Sequence, residues 1–214
     1  MAGREVVENG FGPWHRPVST RVSEEISEEE RRYENGQDPQ VLDIISIPLS
    51  KPNPCDHQTE NHVIDAEYYW ERKGAVSWGQ LQGAIEVVGG PLWQNGYSTY
   101  YGTNDRVPQR GLTNLRRSLY LVQPRDLVIT VVTEGEEFGN PRRRVRAQFT
   151  LDGSTYSLFV TDPVIERQYW GPVDGRYQID QAVLCVSLGG LHDDGYAYKL
   201  VAAVITPDRA GGEG

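Results

Sequence analysis

The sequence predicts a mostly-β protein with little helix, and three observations carry that prediction. Short runs rich in Val, Ile, Leu and aromatic residues recur along the chain. Between them fall the turn dipeptides Asn9-Gly10, Asn35-Gly36, Asn95-Gly96, Asp152-Gly153, Asp174-Gly175 and Asp194-Gly195, which tolerate positive φ and close hairpins. Finally, 23 Gly and 13 Pro are about a sixth of the 214 residues, above the roughly 12% of average usage.

In chain order, "SEEISEEERRYE" predicts a solvated helix, with Glu28 four residues before Arg32. Val41–Ser50 (VLDIISIPLS) predicts the first clear strand. Ser77 then caps a short helix in "WGQLQGAIEVVGG", stopped by Gly89-Gly90. Six strands follow: Ser118–Gln123, Asp126–Thr133, Val145–Leu151, Thr155–Thr161, Ala182–Leu188 and Tyr196–Thr206. In Val145–Leu151 the alternation sends Val145, Ala147, Phe149 and Leu151 inward and Arg146, Gln148 and Thr150 outward, the period of a half-buried strand. So many strands in about a hundred residues fit a small barrel or sandwich. The expected division is a first domain over 1–90, a junction over 91–115, a second domain over 116–207 and a disordered tail over 208–214.

The net charge of −9 is unevenly placed. Residues 1–66 carry 13 acids and 6 bases, whereas residues 67–140 carry 8 and 7 and residues 141–214 carry 9 and 8. The last two thirds can therefore still present a basic face. There are 18 Arg against 3 Lys, and arginine grips phosphate bidentately and stacks on planar rings. No run of about 18 apolar residues predicts a membrane span, and "MAGREVVENG" has no apolar h-region, so a cytoplasmic protein is expected. Cys55 and Cys185 give no disulfide framework.

Several pieces occur in order along the chain: "WHRPVS" (Trp14–Ser19), "LDIISIPL" (Leu42–Leu49), "TEN" (Thr59–Asn61), "NDRV" (Asn104–Val107), "VTDP" (Val160–Pro163), "CVSLGG" (Cys185–Gly190) and "YKLVAAVI" (Tyr198–Ile205). Together they resemble the dual OB-containing domain family of prokaryotes. The resemblance implies two tandem oligonucleotide/oligosaccharide-binding (OB) barrels and a nucleic-acid-binding role, and it supplies no catalytic residues. Family members carry an apolar strand upstream of "AGRE", where this chain has only Met1. The expectation is a start upstream of Met1; the alternative is a first barrel that lacks a strand and leaves a sheet edge open.

The stretch "LWQNGYSTYYGTNDRVPQRG" (Leu92–Gly111) is the best candidate ligand surface. Trp93, Tyr97, Tyr100 and Tyr101 offer flat faces, and Arg106, Arg110, Arg116 and Arg117 follow with one acid, Asp105, among them. Stacking plus phosphate contacts is what single-stranded nucleic acid needs. The structural alternative is that Trp93 and some tyrosines plug a seam between domains. Trp14 and Arg16, held between Pro13 and Pro17, are the next candidates, or else Trp14 anchors chain while Arg16 pairs with a glutamate. "PRRRVR" (Pro141–Arg146), the densest basic cluster, reads as a strand end paired with Glu134, Glu136 and Glu137, the alternative being arginines fanned toward a phosphate backbone.

Cys55, His57 and His62 with Asp56 and Glu60 have zinc-ligand chemistry but no second knuckle, so no metal and no cofactor is expected. None of His15, His57, His62 and His192 sits in a catalytic motif. The first function hypothesis is thus a non-catalytic nucleic-acid-binding module using Trp93, Tyr97, Tyr100, Arg106, Arg110 and Arg116, with Trp14 and Arg16. The second is a module that binds an effector protein or a small ligand, and the third a metal-dependent enzyme.

Overall fold

The computed structural model describes residues 1–171 and 173–211. The chain divides into two compact units: Met1–Ala84 with Arg116–Ser118 and the chain from Asp208, and Ile85–Leu115 with Leu119–Pro207.

In the first unit, β1 (Gly3–Val7) and β2 (Gly10–Val18) form a hairpin. Helix α1 (Glu28–Arg31) follows a capping box in which Ser27 Oγ accepts from Glu30 N and the Glu30 carboxylate accepts from Ser27 N. It is shorter than its charged run predicts because none of its residues is buried, and helix without packing is marginal. The run at Val41–Ser50 makes two strands, β3 (Asp43–Ser46) and β4 (Leu49–Pro52). They separate at Pro48, which has no N–H for a ladder and whose carbonyl accepts from Asp65 N at 2.9 Å. Strand β5 (Asn61–Ile64), strand β6 (Glu71–Ala75) and helix α2 (Trp78–Gln82) complete the unit. Ser77 caps α2 as predicted, but the helix ends at Gly83, well before Gly89-Gly90.

The sheet order is β1-β2-β5-β4, with β2 and β5 parallel, and β3 pairs with β6 separately. Tyr33, Ile64 and Trp70 form a buried cluster packed by Ile26, Ile45 and Ile47.

The second unit contains β7 (Arg106–Pro108), β8 (Leu119–Val122), β9 (Arg125–Glu134), β10 (Arg142–Leu151) and β11 (Ser154–Val160). After α3 (Pro163–Tyr169) come β12 (Gly175–Gln178), β13 (Val183–Leu191) and β14 (Tyr196–Ile205). All six strands predicted after residue 117 are present. The sheet order is β12-β9-β10-β11-β14-β13-β8, with β11 and β14 parallel and β7 added along β14.

No sheet among the described residues closes into a barrel. The edge strands β8 and β12 are four residues each, and Pro124, just after β8, has no N–H to extend a ladder. The fold is mostly β, with open sheets where closed barrels were expected.

Leu127, Ile129 and Val131 from β9, Val145, Ala147, Phe149 and Leu151 from β10, and Tyr156, Leu158 and Val160 from β11 lie in one buried cluster. The predicted alternation of β10 holds for the apolar set but not for Arg146, which is also buried. Its guanidinium takes both carboxylate oxygens of buried Glu134, at 2.5 and 3.1 Å, and covers the Phe159 ring at 3.8 Å. Asp162 caps α3 by accepting from Val164 N, while its other oxygen accepts from Val204 N, tying the helix to β14.

The segment expected to join two domains instead packs wholly within the second unit. Its two aliphatic side chains, Leu92 and Val107, are completely buried there. Of the expected tail, Pro207–Ala210 forms a helical turn, α4, and residues 212–214 lie outside the described residues. No helix among the described residues is long and apolar enough to cross a membrane.

Candidate nucleic-acid interface

The segment before β7 has almost no regular structure, so its shape is set by anchors. Tyr156 Oη accepts from Leu92 N at 2.9 Å and from Asn95 Nδ2 at 3.1 Å. Lys199, buried on β14, donates through Nζ to Gln94 O at 2.7 Å and to Asn95 Oδ1 at 3.0 Å. Burial pulls the Lys199 ammonium down to about 7, opposed by the nearby Asp105 carboxylate. Asp105 accepts from Thr99 N at 2.7 Å and from Thr99 Oγ1 at 2.5 Å, and Arg146 lies 3.7 Å away. Gly102 is required at this closure, because a Cβ there would sit 1.7 Å from Asp105 Oδ2. Asn104 accepts from Gly96 N and donates to Thr155 O.

These anchors hold Trp93 and Asn104 at positive φ, a cost on the order of 1 kcal/mol each. The buried network of Asp105, Lys199, Arg146 and Glu134 was not predicted as a unit. Its one sequence trace is the single Lys inside an otherwise apolar strand pattern.

The anchored segment and β14 present a ladder of two phenol rings flanked by two guanidinium groups. Arg110, on the turn after β7, lies 5.7 Å from the Tyr97 ring centroid and donates to its hydroxyl. Tyr97 lies 6.1 Å from Tyr196, and Arg106 covers the other ring, Tyr196, at 4.1 Å. Tyr196 and Tyr198 enter from β14, where the β7–β14 pairing sets them opposite Pro108 and Arg106. The turn is fixed by Gln109 N donating to Gly195 O at 2.9 Å. Asp194 borders the ladder, and the hydrogen bond from Tyr198 Oη holds its carboxylate below the usual range. Burial, together with that carboxylate, pushes the Tyr198 hydroxyl up, so it stays a donor.

Of the predicted residues in this unit, Tyr97, Arg106 and Arg110 thus come together, joined by the unpredicted Tyr196. Trp93 is half-buried against Tyr120, 5.3 Å away, and packs on two apolar clusters of its own unit, so it is a packing residue rather than an open face. Tyr100 points to a different group, with Tyr101 and Phe138.

In the first unit, Arg16 takes the structural role. It donates to Ser118 Oγ at 2.8 Å and lies 3.6 Å from the buried Glu60 carboxylate, which also accepts from Ser118 N. That guanidinium neutralises a carboxylate taken out of water. Trp14 is half-buried on β2. Arg116 is exposed, and its carbonyl accepts from Thr59 Oγ1 at 2.8 Å.

The segment 55–62, with Cys55, His57 and His62, does not converge: Cys55 is exposed while His57 is buried, and among the described residues no three His, Cys, Asp or Glu side chains are placed to hold a metal. His62 Nδ1 instead meets Glu60 O at 2.8 Å, and its ring packs edge-on to His15 at 4.8 Å.

The family model described as "dual OB-containing domain" matches residues 1–204. No curated protein and no solved structure matches the chain.

Proposed function

Because the chain belongs to the dual OB-containing domain family, we propose that each unit is an OB-like domain and that the protein is a nucleic-acid-binding module with no chemistry of its own. One observation carries this reading: the ladder of Arg110, Tyr97, Tyr196 and Arg106, with its rings and guanidinium groups 4.1 to 6.1 Å apart. Tyrosine rings stack unstacked bases, each worth roughly 1–3 kcal/mol, and the guanidinium groups at the two ends of the ladder reach phosphate. The need for exposed base faces favours single strands over duplex. Asp194 sets the limit on local charge: two arginines against one carboxylate leave the ladder net positive. In the first unit the proposed contacts are Trp14 and Arg116, while Arg16 serves Glu60.

The test is a pair of substitutions assayed by anisotropy on a labelled oligonucleotide. Arg106→Ala weakens binding and lowers the salt slope by about one. Tyr97→Ala weakens binding about tenfold and leaves the slope alone, since it removes stacking and no charge. Unchanged affinity in both variants takes the ladder out of the site.

A further inference from the structure

Three rings crowd the place where the β9–β10 turn meets the segment before β7. Tyr100 contacts Tyr101 edge-on, with centroids 4.9 Å apart and planes at 76°, and contacts Phe138 in the same way at 5.5 Å and 82°. The arrangement is exposed: Tyr100 is 75% and Phe138 66% open to solvent. Two such side chains side by side at the surface form an exposed apolar patch beside an otherwise polar turn, Gly135–Pro141.

The turn is built to hold them. Gly135 sits at φ +87°, and a Cβ there would lie 2.5 Å from Asn140 O, so no other residue fits. Gly135 N donates to Tyr101 Oη at 2.8 Å, and Tyr101 Oη donates to the Glu137 carboxylate. That hydrogen bond holds Glu137 below the usual carboxylate range, so it is ionised at neutral pH. Exposed Glu136 adds a second negative charge.

Phosphate is repelled by this pair of carboxylates, so the rings do not extend the nucleic-acid ladder. A cation is attracted twice, by the ring faces and by the carboxylates. The nearest base on β10, Arg142, is turned to Asn140 Oδ1 at 3.4 Å. Within this same chain, guanidinium groups repeatedly settle on rings: Arg106 on Tyr196, Arg146 and Arg144 on Phe159, Arg110 on Tyr97. A planar guanidinium stacks on a ring and pairs with a carboxylate at once, which an ammonium does less well.

We propose that Tyr100, Phe138 and Glu137 form a docking site for an arginine side chain of a partner protein. The rings receive the guanidinium plane, and Glu137 receives its N–H groups. This site is independent of the ladder and stands whether or not nucleic acid binds there.

The test follows ring resonances by NMR while the full chain is titrated with the peptide acetyl-Gly-Arg-Gly-amide. Tyr100 and Phe138 ring signals shift saturably, and the citrulline peptide, with the same shape and no charge, does not shift them. Tyr100→Ala and Glu137→Gln each weaken the arginine peptide about three- to tenfold. Both positions are exposed, so the variants fold, and Phe138→Leu keeps apolar bulk while removing the π face. Arg106→Ala leaves peptide binding unchanged, which separates this site from the ladder. Unmoved rings, equal binding of the citrulline peptide, or full affinity in the variants overturns the proposal. So does an oligonucleotide that shifts Tyr100 and Phe138 where the arginine peptide does not.

Discussion

Replacing Lys199 with Met removes a buried ammonium and with it a pH dependence of stability. Its pKa falls from 10.5 to about 7 on folding. Between those values the unfolded chain holds the proton and the folded chain does not, so stability rises with pH across the window. Below about pH 7 the full cost of the buried charge is present and constant. From about pH 7 to about pH 9.5 the linkage relation gives a gain on the order of 3 kcal/mol for this group alone. Urea denaturation of wild type and Lys199→Met at both pH values isolates the term, because every other titrating group is shared. The wild-type stability relative to the variant should climb by about that amount as pH rises. Parallel pH profiles would refute the reasoning. They would mean that Lys199 reaches water or that the segment at Gln94 and Asn95 opens around it.

Other substitutions report on the buried pairs. Arg146→Leu leaves the Glu134 and Asp105 carboxylates buried without their cation, and the second unit should lose about 3–5 kcal/mol by denaturation. Arg16→Met strands Glu60 in the first unit and should cost about 2 kcal/mol, less because Arg16 is partly exposed. The same variant should leave the salt slope of oligonucleotide binding unchanged, in contrast to Arg106→Ala.

Six strands of the second unit were legible because they bury apolar sets: Leu127, Ile129 and Val131, for example, or Tyr156, Leu158 and Val160. Strands β1, β4, β6 and β12 expose nearly every residue, so no apolar period marks them. Helix α3 buries only Ile165, and its one signal was Asp162 before Pro163, a cap followed by proline in the first turn. The arginine and tyrosine content of the ligand segment was readable, but its partner was not. Tyr196 reaches Tyr97 and Arg106 only because β7 pairs with β14, a contact between distant parts of the sequence. The burial of Arg146 was hidden for the same reason: its period marks it outward, and the carboxylates that receive it come from β9 and from the segment before β7.

The function proposed for this protein is nucleic-acid binding through phosphate and base contacts. Its most direct test is fluorescence anisotropy of the full chain with labelled single-stranded DNA, single-stranded RNA and duplex DNA across a salt titration. Binding to a single strand in preference to duplex is expected. The logarithm of affinity should fall linearly with the logarithm of salt, with a slope of about one to two for the contacts of Arg106 and Arg110. No binding to any of the three at low salt, or an affinity that ignores salt, would contradict it.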